Sequence, residues 1–202
     1  MSDVKRVPGT GGGRRRPARE RILAAAARRF YSDGITATGI DTITADAGVA
    51  KMSLYNNFSS KAELVRAYLE ARHAAWRERY SARLSPGQDP RDRVLTVFDT
   101  YIDSTRSADH EDFRGCALLN AAAEMPVGNE TRALVGRQKQ EVEQIMADHL
   151  AELLPDRPDT ARTTAAHLSY LLEGAITRAG LEGDSRCLRQ ARALASELLD
   201  RL

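Results

Sequence analysis

The sequence predicts an all-α protein: an N-terminal three-helix head with a helix-turn-helix, followed by a larger helical body. Three observations predict it. Helix-forming residues dominate, and aromatic residues make up only 5% of the chain. Apolar residues recur at helical spacing, while no alternating strand pattern persists beyond a few residues. Gly and Pro stand where the periodic stretches stop, as at Gly34, Gly48, Pro86, Pro126 and Pro155. A chain of 202 residues can bury a real core and form one or two domains.

Residues 1–16 carry Gly, Pro and clustered Arg with almost nothing to pack, which predicts a disordered basic arm. Arg14, Arg15 and Arg16 suit phosphate or minor-groove contacts, and equally a solvated tail. A first helix is expected over residues 17–33, with Pro17 in its first turn. Ile22, Leu23, Ala26, Ala27, Phe30 and Tyr31 form its apolar stripe, and Gly34 ends it.

Two short helices joined by a tight turn follow. In the first, Ile40, Ile43 and Ala47 share a face. Thr38 suits the N-cap, with Asp41 three residues on as the partner of a capping box. Gly48 supplies the left-handed stop, and Val49 dips toward the core. The second runs over residues 51–58, with Leu54 and Phe58 pointing inward. Lys51, Met52, Ser53, Tyr55, Asn56 and Asn57 are left facing out, a surface with no acid in it. Amides and hydroxyls read base edges in the major groove, and Lys and Tyr reach phosphates. Helix, glycine turn and a helix with such a face is the helix-turn-helix plan.

The stretch GITATGIDTITADAGVAKMSLYNNFSSKAELV resembles the DNA-binding head of the TetR family of transcriptional repressors. Gly34, Thr38, Ile43, Ala47-Gly48-Val49, Leu54-Tyr55, Phe58 and Lys61 carry the resemblance. The chain departs from the family at Ala50, Met52 and Asn57, where Ser, Gly and His are usual. The resemblance covers residues 17–62; beyond them it extends only to length and helical character. It implies a homodimer on double-stranded DNA at a palindromic operator, and DNA contacts from Thr38, Lys51, Met52, Ser53, Tyr55, Asn56, Asn57 and Lys61. Ala50 stands where an N-cap would hold the recognition helix.

A long helix over residues 61–84 opens with Ser60 and Glu63 at capping-box spacing and stops before Pro86-Gly87. Its first turn places Lys61 where free backbone N–H groups favour a phosphate. Further helices are expected over residues 90–106, 129–154, 159–182 and 184–201, with a polar break over 107–112 and a short apolar helix after it. Ala165, Ala166, Gly174, Ala175 and Ala179 give the last pair small residues that permit close approach. The resemblance makes that pair the dimer interface, and residues 63–202 the effector-binding and dimerisation domain.

Charge is unevenly placed. Residues 1–84 carry 16 Lys and Arg against 8 Asp and Glu, net +8, and the remainder is net −6. A basic front suits a polyanion. No apolar run approaches a membrane span, no secretory signal is seen, and two cysteines are too few for a disulfide scaffold, so a cytoplasmic protein with no membrane partner is expected.

Little points to catalysis. His73, His110, His149 and His167 are scattered, Gly11-Gly12-Gly13 does not open a phosphate-binding helix, and no nucleophile–base signature appears. No enzyme, metal or cofactor is expected. Cys116, Asn120 and Glu124 share one stripe: either a polar pocket wall or, slightly favoured, a core thiol beside a solvent-exposed Glu124. An effector pocket is expected from His73, Trp76, Tyr80, Phe98, Tyr101, Cys116, Asn120 and Tyr170, for a neutral or weakly polar ligand of unknown identity. The reading is a dimeric repressor released by a small molecule; the alternative is an effector-independent or architectural DNA-binding protein.

Overall fold

The computed structural model describes residues 17–105 and 113–202. The basic arm over residues 1–16, with Arg14, Arg15 and Arg16, and the polar break over 107–112, with His110, lie outside the described residues. Among the described residues there are nine helices and no strand. They are α1 (Ala18–Ser32), α2 (Ile40–Ala47), α3 (Lys51–Asn57), α4 (Lys61–Arg83), α5 (Pro90–Ser104), α6 (Ala117–Ala123), α7 (Glu130–Leu153), α8 (Pro158–Glu182) and α9 (Arg186–Leu199). None of these is long and apolar enough to cross a membrane.

The head is built on α1. Its buried face, with Ile22, Ala25, Ala26, Phe30 and Tyr31, packs against Ile43 and Ala47 of α2 and Leu54 of α3. Polar bolts on its other side fix the angle. Arg21 Nη1 donates to the carbonyls of Ala47 and Gly48 at 2.8 and 3.0 Å, and Arg29 Nε donates to Asp46 at 2.6 Å. The Arg29 bond holds the Asp46 carboxyl below its usual range, and the Ser32 hydroxyl, followed by Arg29, does the same for Asp33.

The turn between α2 and α3 is as the sequence dictates. Gly48 sits at φ +59, ψ +46, the left-handed conformation a side chain resists, and the Val49 N–H closes onto the Thr44 carbonyl. The start of α2 is not as expected. Its N-cap is Gly39, with no side-chain bond, and Thr38 is 3% exposed. The Thr38 hydroxyl donates to the Gly34 carbonyl at 2.6 Å, closing the loop after α1 instead of capping α2. Asp41 has no capping role either; its carboxylate meets Lys51 at 2.8 Å.

At α4 the expected cap is present with one substitution of partner. Ser60 Oγ accepts from the Glu63 N–H, while Glu63 reaches back to Ser59 rather than Ser60. At about 1.5 Å per residue, the 23 residues of α4 span about 35 Å. Leu64, Val65, Tyr68 and Leu69 lie in the head's apolar core, and Trp76 and Tyr80 in the body's. The head's core also takes in Ala117 and Ala121 of α6 and Val135 of α7. Packing is therefore continuous across residue 62, where the sequence placed its division.

The body core is a layer of α5, α7, α8 and α9 around Val94, Phe98, Met146, Leu150, Leu168 and Leu172. At its edge the loop before α6 touches α8 through bare backbone. A Cβ on Gly180 would stand 2.6 Å from the Gly115 backbone. That distance leaves no room for a methyl group, so Gly180→Ala must displace α8 or the loop. Overpacking of this kind costs about 1–3 kcal/mol. Thermal denaturation of Gly180→Ala should show a melting point lower by several degrees; an unchanged melting point would mean the loop yields freely.

Candidate nucleic-acid interface and ligand cavity

Helix α3 presents the outward face. Leu54 is fully buried and Phe58, just past its end, is 1% exposed. Around these anchors Lys51, Met52, Tyr55 and Asn56 are exposed, and Ser53 is half-buried. Asn57 departs from the expected outward placement: it is half-buried, and its Nδ2 donates to the Ser53 carbonyl at 2.8 Å. Thr38 is turned inward, so its side chain is removed from the face. Lys51 is occupied by Asp41, with both side chains well exposed, a geometry worth little. Ala50 is the N-cap of α3 and offers no side-chain bond to its free N–H groups. Lys61 lies half-buried in the first turn of α4, on the same side of the molecule as the α3–α4 junction.

Behind the head lies a cavity walled by six helices and the loop before α6. His73 and Trp76 of α4, Tyr101 of α5 and Cys116 line it, as the sequence proposed. The other four residues fall elsewhere. Phe98 is wholly buried in the body core. Tyr80 stacks behind Trp76, 5.5 Å centroid to centroid, with its hydroxyl 2.7 Å from His149 Nε2. Asn120 is exposed, and its Nδ2 donates to the Arg114 carbonyl at 2.8 Å. Tyr170 is 70% exposed on the outer face of α8. Helical spacing separates faces but cannot say which face meets a cavity.

Sequence reasoning missed the cavity's cations. Arg72 and Arg79 of α4 and Lys139 of α7 line it, with Tyr31 and Phe113. Lys139 Nζ lies 2.8 Å from Glu173 Oε1 and 3.2 Å from the Tyr101 hydroxyl. Burial alone would lower the Lys139 pKa; the neighbouring Tyr101, Cys116 and Glu173 outweigh it and raise it, so the ammonium stays charged. Burial pushes the Tyr101 phenol up to about 12. His73 Nε2 meets Glu141 Oε2 at 2.8 Å. A long polar side chain at an apolar helix position was the available signal, and Lys139 reads by itself as a solvated residue.

The cavity wall is clasped to the head at two points. The Tyr31 hydroxyl donates to the Gly115 carbonyl at 3.2 Å and accepts from the Arg114 N–H at 2.8 Å. Arg114 Nη1 returns a bond to the Tyr31 carbonyl at 2.9 Å. At the far end of α6, Glu124 Oε1 and Oε2 accept from the N–H groups of Ile35 and Thr36 at 2.9 and 2.7 Å. Glu124 was expected to be merely solvent-exposed; it is exposed and also doubly bonded. Gly34, at φ +92, makes this possible, since a Cβ there would meet Glu124 Oε1 at 3.0 Å. Partial burial would raise the Glu124 pKa, but the bonds from Thr36 and Ile35 outweigh it and lower it. A lowered pKa means the clasp contributes fully above the unfolded value, near 4.5, and is lost as pH falls through the folded one.

A helix-turn-helix head joined by a continuous helix to a helical body defines a DNA-binding transcriptional regulator. The comparisons agree. The family model for bacterial regulatory proteins of the tetR family matches residues 22–68. A TetR-family transcriptional regulator from Streptomyces coelicolor superposes with a TM-score of 0.80 at 31% identity, covering 91% of this chain and 94% of that one. The chain belongs to the TetR family. Among curated relatives it is 33% identical over 96 residues to the HTH-type transcriptional regulator TtgR of Pseudomonas putida, 44% of this chain and 45% of the relative. It is 28% identical over 127 residues to the HTH-type transcriptional regulator YezE of Bacillus subtilis, 60% of this chain and 62% of the relative. These matches span about half the length of the curated relatives.

Proposed function

We propose that the chain is a cytoplasmic, homodimeric repressor that leaves a palindromic operator when a small molecule enters the cavity behind the head. The observation that carries the ligand-responsive part is the shared wall. The loop that closes the cavity at Gly115 and Cys116 is the loop that holds Tyr31 of the head. A ligand that binds one position of this loop better than another necessarily biases the head. The work to be done is small: two recognition helices must sit in successive major grooves, about 34–36 Å apart, and a modest tilt spoils that fit.

In this reading α3 reads the bases. Asn56 and Tyr55 approach base edges, Met52 makes apolar contact, and Ser53 and Asn57 support them. Lys51 and Lys61 meet phosphates, Lys51 after leaving Asp41. A base-reading amide is worth about 1–3 kcal/mol of discrimination, whereas a phosphate contact contributes uniformly. Asn56→Ala should therefore relax sequence preference more than Lys61→Ala, which should weaken all duplexes alike and lower the salt slope by about one. Titrations on operator and random duplexes check this; equal loss of discrimination in both variants would reverse the roles.

Dimerisation is assigned to α8 and α9. Thr163, His167, Tyr170, Gly174, Thr177 and Leu181 are all exposed and alternate by four and three residues, the spacing of a helix–helix seam. Tyr170 and Leu181 are 70% and 85% exposed, and a Cβ at Gly174 would meet nothing in the protomer. Mid-helix glycine costs about 1 kcal/mol relative to alanine, so close approach by a second helix is the reason for it. The small residues Ala165, Ala175 and Ala179 instead face the protomer's own core. Gly174→Arg should sediment as a folded monomer and lose operator affinity; a folded dimer would put the seam elsewhere.

The effector step is tested through Trp76, the one tryptophan of the chain. Compounds that quench it should also release operator DNA. In Glu124→Ala the same compounds should still quench Trp76 but release DNA several-fold less, because one of the two clasp points is gone. Coupling between sites of this kind is typically worth about 1–3 kcal/mol. Release undiminished in Glu124→Ala would remove the clasp from the mechanism.

A further inference from the structure

The cavity's charge and its aromatic walls together specify more than a neutral ligand. Arg72, Arg79 and Lys139 line it, and among the described residues no Asp or Glu does. The two cations that matter differ in how they are matched. Lys139 is 13% exposed at its side chain and is answered by Glu173 at 2.8 Å. The Arg72 guanidinium lies 5.8 Å from the centre of the Tyr31 ring, and among the described residues it meets no carboxylate. Trp76 and Tyr101 stand 5.7 Å apart in a tilted pair, with Phe113 also on the wall. The Trp76 Nε1–H is buried and has no acceptor among the described residues.

We propose that this cavity takes a small aromatic anion, with an aryl carboxylate as the simplest member of the class. Its ring lies against Trp76 and Tyr101, and its carboxylate faces Arg72 and Lys139. This deepens the reading of the cavity as the effector site and rests on it. The physical argument is one of desolvation. A ligand seated here expels water from beside a half-buried guanidinium. A neutral ligand then leaves that charge without hydration or partner, and a cationic one adds repulsion. An anion replaces the lost water with charge-assisted bonds, and the planar guanidinium fork suits a carboxylate. The enclosed space is about 50 Å³, smaller than an aromatic ring requires, so seating one needs the wall residues to move apart. The earlier expectation of a neutral ligand came from the absence of acids in a residue set that lacked these cations.

The test uses the full chain and matched probes: benzoate, benzamide and benzylamine, with 1-naphthoate, 1-naphthamide and 1-naphthylmethylamine. Affinities come from calorimetry, and Trp76 emission reports the place of binding for the single-ring set. Carboxylates should bind at least about tenfold tighter than the amides, and the amines weakest. Arg72→Leu should erase the preference for carboxylate and leave amide affinity within about twofold. The double variant Lys139→Met with Glu173→Leu removes a matched pair, keeps the internal charge balanced and should also narrow the preference. Circular dichroism confirms that each variant is folded.

Amides binding as tightly as carboxylates, no carboxylate binding at about 10 mM, or an Arg72→Leu protein with its preference intact would each overturn the proposal. The two readings fail separately. A neutral aromatic that quenches Trp76 and releases operator would keep the effector site and sink the anionic class. A carboxylate that binds beside Trp76 through Arg72 but leaves operator affinity unchanged would keep the class and sink the effector reading.

Discussion

The structure depends on how α6 is tied to the connection between α1 and α2. Tyr31 and Arg114 lock the loop before α6 to the end of α1, and Glu124 locks the end of α6 to the backbone just beyond. A seven-residue helix has little stability of its own. It is held by these polar ties and by Ala117 and Ala121, which lie in the head's apolar core. The body thus reaches into the head through its shortest element. Such a part has few ways to move without moving what it is fastened to.

The second path between body and head is α4, and it is of a different kind. It is continuous, rigid and apolar along one side, with Leu64 and Tyr68 in one core and Trp76 in the other. His73, Trp76 and Tyr80 form a stacked aromatic ladder along it, at ring separations of 6.0 and 5.5 Å. The loop before α6 is held locally instead, between Tyr31 and Gly180.

The fold was legible in the sequence because its signals are local. Gly48 and Gly183 ended helices in the left-handed conformation, and Ser60 capped α4, each decided by neighbours within a turn. The outward face of α3 was legible for the same reason. Thr38 was misread because α2 begins one residue later than expected, with Gly39 as its N-cap, and the Thr38 hydroxyl donates back to the Gly34 carbonyl. The cavity was half legible. Trp76 and Tyr101 declared themselves as large aromatic residues, but Arg72, Lys139 and the clasp of Glu124 depend on partners far away in the chain. Glu124 meets residues 88 and 89 positions distant, and no periodicity encodes that.

The recognition helix is fastened to the protein by very little of itself. Leu54 and Phe58 bury their side chains, while Met52, Tyr55 and Asn56 between and beside them are exposed. In the proposed reading, structural duty falls to Leu54 and Phe58 and sequence reading to the exposed residues of the same short segment. Changes at the three exposed positions, in that reading, alter which DNA is preferred without touching the buried anchors of the head. On the same reading, a lineage carrying this scaffold can change its operator by single substitutions at positions that the buried core does not use.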